Sequence, residues 1–169
     1  PIPSPTNSDA EYKLAQLVRA NQALYDYCRA YDLPCISGKD SMKNDYRVGD
    51  TKISIPPTVL FSALGVIEDV ATVVTMDAKR PGDVVYVLGV TRAELGGSEY
   101  YALLGHLGNS VPRVDAAAAR RLYEALADAS ARGLVASCHD CSDGGLGVAL
   151  AETAFAGGLG MTIDLRLVP

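Results

Sequence analysis

The stretch that most restricts the fold is 134–156. An apolar run, Leu134-Val135-Ala136-Ser137-Cys138, leads into His139-Asp140-Cys141-Ser142-Asp143-Gly144-Gly145, and a helical pattern follows over 146–156. Paired glycines between a β-type run and a 3.6-residue pattern predict a sharp turn from strand to helix. At such a turn the first N–H groups of the helix lack intrahelical partners. Two carboxylates (Asp140, Asp143) and a hydroxyl (Ser142) stand beside them. That set can be a capped helix start with a tight turn. It can also take phosphate on the N–H groups and the hydroxyl, and Mg²⁺ on the carboxylates, though a short motif alone favours the capped start. These residues alone leave both readings open.

With 169 residues, 49% of them apolar, the chain can form one domain or two small ones around a sizeable core. A net charge of −5 with no basic cluster argues against a nucleic-acid surface. The absence of a run of about 18 apolar residues argues against a membrane span. Pro1-Ile2-Pro3-Ser4-Pro5 lacks the basic and apolar regions of a signal peptide. Four cysteines do not make a disulfide scaffold at this size, so free thiols in a reducing cytoplasm are expected. The proline-rich start, and an end at Val168-Pro169 just after a predicted strand, suggest a piece of a longer polypeptide.

Ser8 and Glu11 form a capping box for a helix over 9–31. Leu14, Leu17, Val18, Leu24 and Cys28 are its expected buried stripe, and Asp32-Leu33-Pro34 its end. Strands are expected at 34–37, 53–55 (an edge strand), 58–67 (central), 84–90, 134–138 and 161–167, with a loop over 47–52. Pro81-Gly82 marks a turn. Helices are expected at 99–106, at 116–132 with Asp115 as cap and Gly133 as stop, and at 146–156 ending at Gly157-Gly158. The order is an α/β (α+β) pattern in two parts, 1–70 and 71–169.

Several smaller motifs carry competing readings. Gly38-Lys39-Asp40-Ser41 follows a predicted strand and offers a close-approach backbone, a cation and a hydroxyl, without Walker A spacing. It is either a phosphate loop or a solvated one. Cys138 and Cys141 form a C-x-x-C. The other two cysteines, Cys28 and Cys35, are expected on a helix face and a strand, a poor second pair for zinc. Small apolar filler is the preferred reading, and a zinc or redox module the lesser one. His139 and His106 read as hydrogen-bonded structural residues, and Leu95-Gly96-Gly97-Ser98 as a helix start rather than a phosphate turn.

Taken together, Ser37-Gly38-Lys39-Asp40-Ser41-Met42-Lys43-Asn44-Asp45-Tyr46, Leu95-Gly96-Gly97-Ser98, His139-Asp140-Cys141-Ser142-Asp143-Gly144-Gly145-Leu146 and the segment Ala151-Glu152-Thr153-Ala154-Phe155-Ala156-Gly157-Gly158 resemble, in the same order, the synthetase part of the phosphoribosylformylglycinamidine synthases. The resemblance covers essentially the whole chain. It implies the end of the A half and most of the B half of an aminoimidazole ribonucleotide synthetase-like fold, in the second of two such units. It also implies a ligase that uses ATP and Mg²⁺ to convert formylglycinamide ribonucleotide to its amidine in purine biosynthesis. Ammonia would come from a glutaminase domain or subunit. Matching the family's loop residue by residue assigns Gly38 to ATP and Ser41 to substrate. Lys39 stands where relatives have a metal-binding asparagine, and would meet phosphate instead. In the H-D-x-S-D-G-G turn, Asp140 would bind Mg²⁺ and Ser142 an auxiliary, structural nucleotide; Asp143 is added from its position alone. No catalytic residue of the family falls within this chain, and the remaining synthetase half lies outside it. The chain by itself is therefore expected to be inactive, and its exposed apolar strands could drive self-association. A scaffold module holding a structural nucleotide is the alternative function.

Overall fold

The computed structural model describes residues 10–41 and 44–168. It forms two compact units divided between Gly65 and Val66.

The first unit holds helix α1 (Ala10–Tyr31) and a hairpin of β1 (Asp45–Val48) and β2 (Thr51–Ser54). The expected capping residue Ser8 lies outside the described residues. At the other end of α1, Leu33 N–H donates to Cys28 O (2.9 Å) and Asp32 N–H to Arg29 O (3.3 Å). This is a Schellman closure, with Asp32 at φ 57° where glycine is usual. Pro34 then bars further helix. The α1 stripe is covered only toward this end. Leu24 and Cys28 are half-buried beside an apolar groove of about 440 Å³ that Leu33, Val59 and Phe61 also line. Leu14, Leu17 and Val18 are exposed, contrary to expectation, because no described element packs on that half of the helix.

The hairpin corrects two readings. Residues 47–52 are not a loop, and the strand expected at 53–55 starts earlier, at Thr51. Val48 pairs with Thr51 across a two-residue Gly49-Asp50 turn, and Asp45 pairs with Ser54. Gly49 has φ 57°, the conformation such a turn requires of its first central residue. Asp45 is fixed by the Ser54 hydroxyl (2.8 Å) and by the Lys52 ammonium 3.0 Å away. These two, Ser54 first, lower its pKa.

The second unit contains α2 (Glu99–Leu103), α3 (Ala116–Ala131) and α4 (Gly145–Gly157), with 3-10 turns at Val70–Thr72 and Leu165–Leu167. Its local signals read as expected. Arg80 O accepts from Asp83 N–H across Pro81-Gly82, with Gly82 at φ 92°, a type II turn. Asp115 caps α3 by accepting from Ala118 N–H (3.0 Å). Ala129 O accepts from Leu134 N–H (3.0 Å) past Gly133 at φ 67°. The helix expected at 99–106 is shorter, ending at Leu103.

The core of this unit sits on α4. Its sequence, GLGVALAETAFAG, is apolar nearly all round, so it needs cover on more than one side. Ala149 is buried, at 8% exposure, and Leu146, Leu150, Thr153 and Ala154 are half-buried. The segment 75–78 lies along the helix: Ala78 N–H donates to Thr153 O (3.0 Å). A Cβ on Gly157 would fall 2.2 Å from Ala78 O, so only glycine allows this approach. Thr75 O in turn accepts from Cys138 N–H (3.2 Å), tying the approach to the 138–145 turn onto the same segment. Lys79, just past that segment, and Thr75 both bond Asp77, and hold its carboxyl at about 2, Lys79 contributing most.

The segments 34–37, 58–67, 84–90 and 134–138 are not strands, and 165–167 is a 3-10 turn rather than the end of one. Among the described residues the only ladder is β1 with β2. The physical reason is that alternation or apolarity specifies an extended backbone and leaves the partner unspecified. Without a partner these residues stay open: Leu60 is 91% exposed and Val66 95%.

Candidate functional site

Two places carry the candidate residues, one in each unit. In the first, the loop 38–41 is exposed throughout. Lys39 Nζ donates to Ser41 Oγ (2.9 Å). The structure thus joins the expected phosphate cation to the expected substrate hydroxyl, while Gly38 has nothing within 4 Å of where a Cβ would stand. An anion placed here would meet a lysine charge, an adjacent hydroxyl and an unshielded backbone.

In the second unit the turn 138–145 is built on α4. Gly144 is the N-cap residue at φ 81°, and no side chain caps the helix, so the N–H groups of its first turn beyond Gly145 have no side-chain cap. A Cβ on Gly144 would fall 2.2 Å from Val148 Cγ2. Ser142 O accepts from Gly145 N–H (3.1 Å), closing the turn. The Ser142 hydroxyl donates to Asp140 Oδ2. That bond comes first, followed by Asp140's own backbone amide and then the neighbouring imidazole, in holding the Asp140 carboxyl below its ordinary pKa. Asp140 is therefore an ionised, largely exposed oxygen donor, of the kind Mg²⁺ takes singly beside phosphate and water. Asp143 is exposed. Among the described residues no group of three or more His, Cys, Asp or Glu is arranged to hold a metal by itself.

His139 anchors the turn. Its Nε2 lies 2.6 Å from Glu152 Oε2 on α4, and its Nδ1 3.4 Å from Asp140 Oδ1. Glu152 chiefly raises the imidazole pKa, against the partial burial that lowers it. Sequence reasoning gave Glu152 no role. The signal was present: it is the one ionisable residue in an otherwise apolar helix, and such a charge needs a partner.

Other candidates resolve locally. The Ser98 hydroxyl accepts from Tyr101 N–H (3.2 Å) and donates to Leu95 O (2.6 Å), so Leu95-Gly96-Gly97-Ser98 is a helix start. His106 packs edge-on to Tyr101 at 6.4 Å. Cys138 and Cys141 are both exposed, which corrects the reading of them as apolar filler. With no ladder at 134–138, nothing buries the end of that segment.

Similar proteins place these features in a family. The phosphoribosylformylglycinamidine synthase subunit PurL of Cutibacterium acnes is 40% identical over 164 residues, which is 96% of this chain and 21% of the relative. The same subunit of Thermobifida fusca is 43% identical over 152 residues, 89% of this chain and 19% of the relative. That of Deinococcus radiodurans is 36% identical over 169 residues, 96% of this chain and 22% of the relative. The chain thus spans about a fifth of the length of these relatives. No solved structure matches it. The family described as AIR synthase related protein, C-terminal domain, matches residues 80–169, more than half of the chain and with them the whole 138–145 turn, and the chain belongs to that family.

Proposed function

We propose that this chain is part of an ATP-dependent carbon–nitrogen ligase that makes formylglycinamidine ribonucleotide from formylglycinamide ribonucleotide, with glutamine as amide donor. The observation that carries this is similarity along nearly the whole chain to synthase subunits, at 40% identity over 96% of its residues. ATP with Mg²⁺, when bound, activates the formamide oxygen so that ammonia can displace it. The residues of this chain bind and orient. Gly38 and Lys39 hold nucleotide phosphate, and Ser41 holds the substrate; the Lys39–Ser41 bond keeps the two groups in register. Asp140 binds Mg²⁺, with Asp143 as a second carboxylate, and Ser142 with the uncapped N–H groups of α4 holds a structural nucleotide. Chemistry and scaffolding are thereby assigned to separate units.

The remaining synthetase half and a glutaminase domain or subunit complete the cytoplasmic enzyme. Apolar residues as open as Leu60, Leu64 and Val66 support a covering partner. No described helix is long and apolar enough to cross a membrane.

The test is made in the full-length enzyme. Ser41→Ala is expected to lower turnover with little change in stability. Asp140→Ala is expected to lower stability by the lost ligand linkage while sparing turnover. Loss of turnover without loss of stability in Asp140→Ala would overturn the division of roles, and amidine formation by this chain alone would overturn its assignment as an incomplete part.

A further inference from the structure

Cys28 and Cys35 are seven residues apart in sequence, yet their Sγ atoms are 3.5 Å apart. The Schellman closure of α1 causes this. Asp32, in the left-handed conformation, turns the chain back, and the Leu33-to-Cys28 backbone bond holds it there. Past Pro34, Cys35 comes back beside the last turn of the helix. The two thiols differ in access: Cys28 is half-buried and Cys35 exposed. The hydrogen bond with Cys35, together with burial, raises the Cys28 pKa. Cys35 is three residues ahead of Gly38, so whatever fixes Cys35 fixes the approach to the 38–41 loop.

We propose that Cys28 and Cys35 form a thiol–disulfide exchange site whose oxidation by a low-molecular-weight disulfide pins the approach to the 38–41 loop onto α1. The exposed Cys35 thiolate attacks one sulfur of the small disulfide and expels the other as a thiolate. This leaves a mixed disulfide on Cys35. Cys28, losing its proton to water, attacks the Cys35 sulfur at 3.5 Å and expels the second small thiolate. Two protein thiols are oxidised to one disulfide, and one small disulfide is reduced to two thiols, which take up the two protons. In a reducing compartment the bridge is transient, as befits a sensor rather than a staple. The site is chemically independent of the ligase reading.

The full chain is incubated with oxidised glutathione, digested without reduction and mapped by mass spectrometry. A Cys28–Cys35 linked peptide is expected, short of two hydrogens and restored by dithiothreitol. Cys28→Ser is expected to keep glutathione on Cys35, and Cys35→Ser to form no bridge and little adduct. Hydrogen exchange across 36–41 is expected to slow by on the order of tenfold in the oxidised chain. Free Cys28 and Cys35 in a chain bridged at Cys138–Cys141, or a stable glutathione adduct on wild-type Cys35, would overturn the site. Unchanged exchange across 36–41 in a bridged chain would overturn the pinning.

Discussion

Replacing Gly144 tests the geometry of the 138–145 turn most directly. Gly144 and Gly145 are both left-handed, at φ 81° and 64°, but their surroundings differ. At Gly145 a Cβ meets nothing within 4 Å, so Gly145→Ala bears only the left-handed penalty, about 1 kcal/mol. At Gly144 the added carbon falls 2.2 Å from Val148 Cγ2 and 2.8 Å from Val148 Cβ. Rotating the side chain clears the first contact. The second is fixed to the helix and needs a backbone shift, which brings the total to about 2–4 kcal/mol. Val148 is 41% exposed, so Val148→Ala should cost no more than about 1 kcal/mol. Alanine keeps the Val148 Cβ that carries the strain, so the double variant should be additive to within about 0.5 kcal/mol. Equilibrium urea unfolding followed by far-UV circular dichroism reads this as a midpoint lower by roughly 1–2 M for Gly144→Ala. Equal losses at the two glycines would refute the packing of the turn on α4.

Three further outcomes follow from the same geometry. His139 gains its proton more readily in the folded chain because of Glu152, so the stability it adds is fully present below its unfolded pKa, about 6.5, and is lost as pH rises through the higher folded value. An NMR titration should place the imidazole midpoint above about 6.5 and return it toward that value in Glu152→Gln; an unmoved midpoint would discount the pair. Asp32→Gly relieves a left-handed aspartate and should raise stability by about 0.5–1 kcal/mol, whereas a loss in urea unfolding would mean that the carboxylate itself holds the α1 cap. Gly157→Ala drives a carbon to within 2.2 Å of Ala78 O and should cost about 2–3 kcal/mol and speed exchange at the Ala78 amide, which a rigid, unaffected 75–78 segment would contradict.

What was legible in the sequence was what a few consecutive residues decide among themselves. Asp115, Ser98, Pro81-Gly82, Gly133 and Gly158 each act on groups within four or five positions, and each does what its chemistry predicts. The Gly49-Asp50 hairpin is equally local, although 47–52 was expected as a loop. The expected long strands failed for a different reason. Val, Ile and Leu in series favour an extended backbone, but hydrogen bonds come from a partner whose identity no local pattern encodes.

The candidate site divides along the same line. Asp140, Ser142 and the two glycines lie within six residues, so their meeting at the start of α4 could be foreseen from spacing. The groups that hold the turn in place are remote: Glu152 by thirteen residues from His139, and Thr75 far upstream of Cys138. Spacing could not reveal them, although the solitary charge of α4 marked one. The turn therefore announces its candidate donors locally while its rigidity is supplied from a distance. For this reason Glu152→Gln, which touches no expected ligand atom, is as informative about the site as any change to Asp140. If the 138–145 turn binds nucleotide through a preorganised start of α4, loosening His139 should weaken that binding without altering the donor set. Unchanged nucleotide affinity in Glu152→Gln would show that the donors alone suffice.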